Sequence, residues 1–507
     1  MRHSYAAMLC ASLTLFPSTA FAQSAKPAAS PLDTDTSYQT MLALIDEMVA
    51  NKLVSRERAD ALIATARRKA QTAIATAAPP PAVAAVPPQS LAATPPDPGA
   101  KVAPVAVSQL KTTDLPAPPL PADLAVDWTR GAPVLSSRDG MFSFKPRGRI
   151  LADISSSTGS AYDPRNITVS TLRQFRFGGV GTIGKNLFYQ FEADFRRNAV
   201  EVVQTFVGYR TKFGKTDADI RFGNLITDRG MDIGTAATAN PFITTNINTT
   251  ALATQGGRVY LLGVAARAGG ENWHVSAAVH GDAIDSDFTR GDNRMFLTRA
   301  HWNPILTKNA VVHVGGWVYD ENIPGTSPAT TVVQNMSGAI NNSIRVESAP
   351  LTGATGSTAF GLEFGGTLGK IYAFSEYGQR TVRGGPGATF AHAKVKALSV
   401  NGGWWITGEK PTYSSRSGTY LSPHVKHSIL DGGIGAFELV ARYEDMDASG
   451  LPLGGTGWAG TVGLNWYLTN NFRFMADYIH YRTDNRTGSF QGRDTGDTLA
   501  ARAEVAF

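Results

Sequence analysis

Apolar and polar side chains alternate along one segment after another between about residue 141 and residue 507. In "NLFYQFEADF", Leu187 and Phe191 fall on one side of an extended strand, while Glu192 and Asp194 fall on the other, because successive side chains of a strand point to opposite faces. The same period of two recurs in "ENWHVSAAVHGD", "GAFELVARYED" and "NFRFMADYIHYR". Each segment therefore has an apolar face and a charged face.

We count about 16 such segments, which begin near residues 144, 172, 187, 202, 218, 258, 272, 295, 311, 358, 370, 394, 434, 457, 472 and 497. An even number of long alternating strands, separated by short turns and longer polar loops, is typical of a bacterial outer-membrane barrel. The charged face must line water, because a charge at the lipid midplane costs about 2 to 4 kcal/mol. The sequence predicts an all-β fold, a 16-stranded antiparallel transmembrane β-barrel over residues 141–507.

The final stretch "LAARAEVAF" follows the same rule. Leu499, Val505 and Phe507 share one face of a strand, and Arg502 and Glu504 share the other. We expect this stretch to be the last barrel strand, with its apolar side against outer-membrane lipid.

The N-terminal residues 1–22 have the features of a secretory signal peptide. Arg2 precedes an apolar stretch, and Ala20 and Ala22 form a small-x-small cleavage site. Beyond this segment we find no run of about 18 apolar residues, the length that a membrane-spanning helix needs. Cys10, the single cysteine, lies inside the signal peptide, so we expect no disulfide in the mature chain.

Two further segments precede the predicted barrel. Residues 38–75 show helical periodicity in two narrow apolar stripes, which predicts a short α-helical, coiled-coil-like periplasmic segment that packs against its own copies. A marginal amphipathic hairpin in solution remains open as the other interpretation. Residues 79–130 form a Pro/Ala-rich linker, since residues 79–121 hold 13 of the 28 prolines.

The formal net charge of +6 does not indicate a nucleic-acid partner. The excess is spread along the chain, and no basic stripe or run of lysine and arginine accompanies it.

Three C-terminal motifs resemble a known family. "WWITGEKPTY" (404–413), "GAFELVARYEDMD" (435–447) and "GLNWYLTNNFRFMADYIH" (463–480) are similar to segments of the phosphate-selective porin O and P family. A looser likeness extends over most of residues 141–507. The resemblance implies a homotrimeric, 16-stranded porin with an inward-folded third loop, arginines along its pore, and small anions such as phosphate as solutes.

The candidate constriction loop departs from the best-studied type of that family, which also carries a lysine cluster at the pore mouth. Residues 229–257 are rich in Thr, Ala and Asn, and Arg229 and Asp232 are their only charged side chains. We therefore expect passage of small anions without assigning the loop a phosphate site.

Arginines on the predicted inner face are the candidate anion contacts of the pore. Fixed guanidinium groups bind phosphate or carboxylate through paired hydrogen bonds. The alternative is that many of them form cross-strand ion pairs within the wall. The candidates are Arg147, Arg149, Arg176, Arg210, Arg221, Arg299, Arg442, Arg473 and Arg502.

Two motifs suggest chemistry that their context does not support. "GVGTIG" at 179–184 matches a dinucleotide fingerprint, but an alternating strand follows it where the motif requires a helix. His274, Ser276 and Asp282 permit a hydrolase hypothesis, although we interpret them as wall residues. We predict no catalytic residue, no metal site and no cofactor.

The sequence thus predicts an outer-membrane porin for passive diffusion of small hydrophilic solutes, with anions such as phosphate favoured. The alternative is a structural tether, in which the helical arm engages the cell wall or a periplasmic partner.

Overall fold

The computed structural model describes residues 124–128, 132–196, 199–254, 257–285, 293–324, 332–336 and 340–507, together with Arg56 and Asp60. Arg56 and Asp60 are both helical and form an ion pair one turn apart, with 3.4 Å between Nε and Oδ1. The rest of the predicted helical segment, the signal peptide and most of the predicted linker lie outside the described residues.

Within the described residues, sixteen long antiparallel strands form one sheet that closes on itself. The strands are β1 (Phe142–Thr158), β2 (Thr168–Ile183), β3 (Leu187–Asp194), β4 (Thr205–Phe213), β5 (Thr216–Ile226), β6 (Tyr260–Gly269), β7 (Trp273–His280), β8 (Arg294–Leu306), β9 (Ala310–Asn322), β10 (Ala354–Leu368), β11 (Ile371–Gly384), β12 (His392–Trp405), β13 (Ala436–Gly450), β14 (Thr456–Tyr467), β15 (Phe472–Asn485) and β16 (Gly492–Ala506). The predicted barrel is confirmed.

The barrel closes where its last strand pairs with its first. The register of β16 on β1 runs from Asp497 opposite Thr158 to Ala506 opposite Arg149. Beyond it, the backbone groups of Phe507 and Gly148 exchange two hydrogen bonds of 3.0 Å each. Closure satisfies the backbone groups that an open sheet would leave unpaired in lipid.

The outward face is apolar and the inward face is polar, as the alternation predicts. In β8, exposed and buried residues alternate without a break from Arg294 to Asn303. In β16, Leu499 is 61% exposed, whereas its neighbour Ala500 is 2% exposed. These outward apolar side chains mark the surface that meets the membrane.

A short hairpin precedes the barrel. Its strands, Leu124–Asp127 and Val134–Ser137, pair with each other, and the second continues onto the start of β1 through Leu135 and Phe144. The first strand lies within the segment predicted to be linker. Among the described residues, no helix has the length and apolar character to cross a membrane.

The connections differ in length at the two barrel ends. Most at one end have two to four residues, which identifies the periplasmic side of such barrels. The exception there is the connection from β12 to β13, residues 406–435, which we call the inward turn. At the other end, the third loop (227–259) and the fifth loop (323–353) are the longest.

The third and fifth loops contribute to a buried apolar core inside the barrel. Ile247 and Leu252 from the third loop and Ile344 from the fifth loop cluster with strand residues such as Leu297 and Tyr481. The lumen is therefore partly filled by protein.

We predict that Gly148→Ala lowers barrel stability by about 1 to 3 kcal/mol, the usual cost of overpacking. A Cβ at Gly148 would lie 2.3 Å from the ring of Phe507. The ring must therefore move away from Gly148, at the point where the last strand pairs with the first. The measurement is the urea midpoint of the refolded barrel in detergent micelles. Gly460→Ala is the matched control, because its Cβ meets no atom within 4 Å. Equal midpoints for the two variants would contradict the role of this contact.

Candidate permeation site

The third loop lies against the inner wall formed by β11 to β15. Its backbone N–H groups donate to wall carboxylates: Met231 to Glu376 at 2.8 Å, Ile243 to Asp477 at 3.0 Å, and Ile247 to Glu444 at 2.6 Å. A loop inside a barrel needs such partners, because buried backbone groups without hydrogen bonds are costly.

The same wall also donates to the carbonyl groups of the loop. Arg442 donates to the carbonyl of Thr244 at 2.8 Å, and Arg473 donates to the carbonyl of Asn240 at 2.9 Å. Asn465 donates to the carbonyl of Pro241 at 2.8 Å. Carboxylates of the wall therefore hold N–H groups of the loop, and arginines of the same wall hold its carbonyl groups.

The two charged side chains predicted for the constriction are both turned into the loop itself. Asp232 accepts from the backbone N–H of Asn246 at 2.6 Å and from the amide of Asn240 at 2.8 Å, and burial raises its pKa. Arg229 donates to the carbonyl of Leu252 at 2.9 Å. Arg229 is 2% exposed and Asp232 is 5% exposed, so both organise the loop.

The inward turn enters the lumen from the periplasmic end and is held by β8 and its neighbours. Arg299 donates to the carbonyls of Ser417 and Gly418 at 2.9 and 3.0 Å. It also pairs with Asp228 at 2.8 Å and Glu363 at 2.7 Å. Burial disfavours the ionised form of Asp228, but Arg299, His274 and Arg267 together outweigh this and hold the pKa of Asp228 well below its usual range.

A cavity of about 390 Å³ remains between these loops and the wall of β1 to β6. Arginines line it on the strand side, and we call that side the arginine wall. It consists of Arg147, Arg149, Arg173, Arg176, Arg221 and Arg267. Third-loop residues lie opposite, and Ser417 and Thr419 of the inward turn complete the lining.

Three members of the arginine wall are paired with carboxylates. Arg149 lies 2.6 Å from Glu192, and Arg176 lies 2.9 Å from Asp194. Arg221 contacts Asp219 of its own strand at 2.6 Å. These pairs fix the direction of the guanidinium groups at the edge of the cavity.

The other three, Arg147, Arg173 and Arg267, have no carboxylate oxygen of a described residue within 4 Å. Glu192 and Asp228 are the acidic side chains among the described residues that line the cavity. Six arginines and two carboxylates leave a formal charge of +4 on the lining. Such a lining attracts anions and repels cations.

A β-bulge directs Arg173 into the cavity. Leu151 pairs with Gln174 and the next residue, Ala152, pairs with Leu172, so Arg173 is the extra residue of β2. Leu172 and Phe175 point outward, while Arg173 and Gln174 both line the cavity. Bulges recur beside functional sites because they change the direction of a side chain.

The structure separates the predicted arginines into three sets: those that line the cavity, Arg210 outside it, and a buried set. Arg147, Arg149, Arg176 and Arg221 line the cavity, and Arg210 is exposed near the periplasmic turn, 5.4 Å from the ring centre of Phe188. The others are 1 to 6% exposed and are paired or bonded to loops. This buried group consists of Arg299, Arg442, Arg473 and Arg502.

Sequence reasoning missed Arg173 and Arg267. The signal for Arg173 is the run "LRQF" (172–175), in which two polar residues stand between two outward apolar residues and break the period of two. Arg267 lies in "GVAARAGG", where small residues obscure the alternation.

The residues behind the hydrolase hypothesis do not form a dyad. Ser276 donates to Asp228 at 2.8 Å, and the ring of His274 stacks on that of His301 with centres 5.4 Å apart. Within the described part of the chain, no group of three His, Cys, Asp or Glu side chains is placed to hold a metal ion.

A closed barrel with an apolar exterior and a charged internal cavity defines the class of outer-membrane porins. The family model described as phosphate-selective porin O and P matches residues 144–507. The chain belongs to this family, and its location is the outer membrane. Porins are channels rather than enzymes.

Two relatives and two solved structures illustrate the likeness. An uncharacterised protein of Caulobacter vibrioides is 26% identical over 394 residues, 74% of this chain and 75% of that protein. Porin O of Pseudomonas aeruginosa is 25% identical over 427 residues, 76% of this chain and 93% of its own.

The outer-membrane expressed OmpT of Vibrio cholerae aligns with a TM-score of 0.45 at 13% identity, covering 72% of this chain and 98% of its own. An anion-selective porin from Comamonas acidovorans aligns with a TM-score of 0.45 at 11% identity, covering 72% of this chain and 100% of its own. At these TM-scores the structural likeness carries no argument about the solute.

We predict that Glu376→Ala loosens the third loop and raises single-channel conductance. The carboxylate of Glu376 accepts from the backbone N–H groups of Met231 and Asp232. The side-chain amide of Asn246 donates to the same carboxylate. Loss of the carboxylate therefore leaves three buried donors without this acceptor, at about 1 to 3 kcal/mol each. Planar-bilayer recording of the purified protein measures the change.

Glu271→Ala is the matched control, because Glu271 is exposed in the turn between β6 and β7 and its replacement changes the charge equally. Identical conductance in the two variants would show that Glu376 does not hold the loop in place.

Proposed function

We propose that this porin is anion-selective and conducts small anions down their concentration gradient. The observation that carries the proposal is the arginine wall, in which Arg147, Arg173 and Arg267 face the cavity without an ion-pair partner among the described residues. A guanidinium group without a carboxylate partner can form two hydrogen bonds with an anion.

The paired members of the wall support the same proposal in a different way. Arg149 and Arg176 line the cavity and are held by Glu192 and Asp194, which fixes the direction of their guanidinium groups. Fixed groups lower the entropy cost of each solute contact. Several weak sites in sequence allow an anion to enter and also to leave, as conduction requires.

The description of the family names phosphate, and the relative Porin O carries a porin name. These relationships support passive transport. Phosphate as a solute is supported only by the description of the family. Small anions as a class are therefore the proposed solutes.

We also propose a homotrimer, which the family resemblance implies. An outer-wall groove of about 490 Å³ between β2 and β6 offers a nearly apolar surface, lined by residues such as Leu187, Tyr209 and Phe222. Such a surface suits contact with a second copy or with lipid.

The tether hypothesis concerns residues 38–75, which lie outside the described residues except for Arg56 and Asp60. The family match covers the barrel and favours the channel. Engagement of the cell wall or of a periplasmic partner by the arm stays a prediction.

We predict that the triple variant Arg147→Gln, Arg173→Gln, Arg267→Gln loses most of its anion preference. The formal charge of the lining falls from +4 to +1, so the attraction for anions and the barrier to cations both decrease. Reversal potentials in a KCl gradient measure the ratio of anion to cation permeability, which should approach 1.

Three further variants test the contribution of each site, and each single replacement should shift the reversal potential part of the way. Arg138→Gln is the charge-matched control, because Arg138 is exposed in the hairpin before β1 and does not line the cavity. A triple variant with the selectivity of the control would exclude the arginine wall as the selective element.

A further inference from the structure

Apart from Asp228 at the start of the loop, the third-loop side of the cavity carries no charged side chain among its described residues. We call this surface the loop face, and it faces the arginine wall. Its members are Gly234, Thr235, Ala236, Ala237, Thr245, Thr249 and Thr250. The cavity is therefore strongly asymmetric, with cations on one side and hydroxyl and methyl groups on the other.

Most hydroxyl hydrogens of the loop face already have acceptors inside the loop. Thr235 donates to the carbonyl of Met231 at 2.9 Å, and Thr250 donates to the carbonyl of Ile247 at 3.3 Å. Thr249 donates to the side-chain oxygen of Asn246 at 3.3 Å. These three threonines thus present methyl groups and oxygen lone pairs to a solute, rather than hydrogen-bond donors.

The backbone donors that anchor the loop are also turned away from the cavity. The N–H groups of Met231, Ile243 and Ile247 point to carboxylates on the β11 to β15 wall. Thr245 differs from the other threonines of the loop face, since it is exposed and its hydroxyl forms no hydrogen bond with a described residue.

We propose that the preferred solutes are small organic carboxylates rather than inorganic phosphate, an inference that rests on the proposed anion selectivity. A carboxylate is planar and has both oxygens at one end, so a single wall of guanidinium groups satisfies it. Its organic part then lies against the methyl groups of the loop face, because that part is uncharged and needs no hydrogen-bond partner.

Phosphate fits the same space less well. Its four oxygens point to the corners of a tetrahedron, so some of them face the loop face whichever way the ion turns. There Thr235, Thr249 and Thr250 offer lone pairs instead of donors, and the described part of the loop face has no cation. A charged oxygen without a hydrogen bond is unfavourable in a confined site. The nearby Glu192 and Asp228 add repulsion that is larger for a dianion than for a monoanion.

A hydroxyl group on the carboxylate would gain a further contact. The lone pairs of Thr249 and Thr250 can accept its hydrogen, because their own hydrogens are committed within the loop. Lactate, with one carboxylate, one hydroxyl and one methyl group, matches both sides of the cavity and serves as the probe.

The experiment compares block of the chloride current through the full-length protein by lactate and by inorganic phosphate in planar bilayers. Half-block by lactate is expected at about tenfold lower concentration than half-block by phosphate. Acetate, which lacks the hydroxyl group, should block at an intermediate concentration.

Thr245→Lys tests the cause of the preference by adding a cationic donor to the loop face. Phosphate should block the current through this variant at a lower concentration than it needs for the wild type. The preference for lactate should be lost. Thr245→Met is the control for side-chain size, because it adds length without a hydrogen-bond donor, and its preference should equal that of the wild type. Position 245 tolerates a longer side chain, because Thr245 is exposed.

Each outcome has a distinct meaning. Anion selectivity with equal or stronger block by phosphate in the wild type would overturn the carboxylate preference and leave the anion porin intact. A wild-type channel without anion selectivity would overturn both proposals. An unchanged preference in Thr245→Lys would overturn the loop face as its origin.

Discussion

Hydrogen bonding of the backbone in lipid is the constraint from which the rest of the structure follows. The hydrocarbon core has no water to satisfy N–H and C=O groups, so a sheet that spans it must close. Pairing of β16 with β1 provides that closure. A closed sheet has an inside and an outside, and the period of two in each strand then assigns every second side chain to lipid and the others to the lumen.

Charged side chains that face inward must in turn find partners or water. The two halves of the barrel meet this requirement differently. On β11 to β15, carboxylates and arginines are matched to the backbone of the third loop, as with Glu376 and Arg473. On β1 to β6 the cations face open space. The same residue type is thus structural on one side of the lumen and available to solute on the other.

The strands were predictable from sequence because their signal is local. A residue and its neighbour reveal the face of a strand, and segments predicted near 187, 272 and 472 correspond to β3, β7 and β15. The loop attachments were not predictable, because their partners are distant along the chain: Ile243 and Asp477 are 234 positions apart. The family resemblance implied that the third loop folds inward, but the alternation of the strands could not tell which arginines the loop would cover.

The bulge in β2 shows how the interior of such a barrel can change while its exterior stays the same. An extra residue on a regular strand would reverse every following side chain and place charges in lipid. At Arg173 the ladder absorbs the addition, and Phe175 and Phe177 keep their outward positions. Insertion of single residues at bulges is therefore a route by which evolution can add a functional group to a pore without rebuilding the membrane surface.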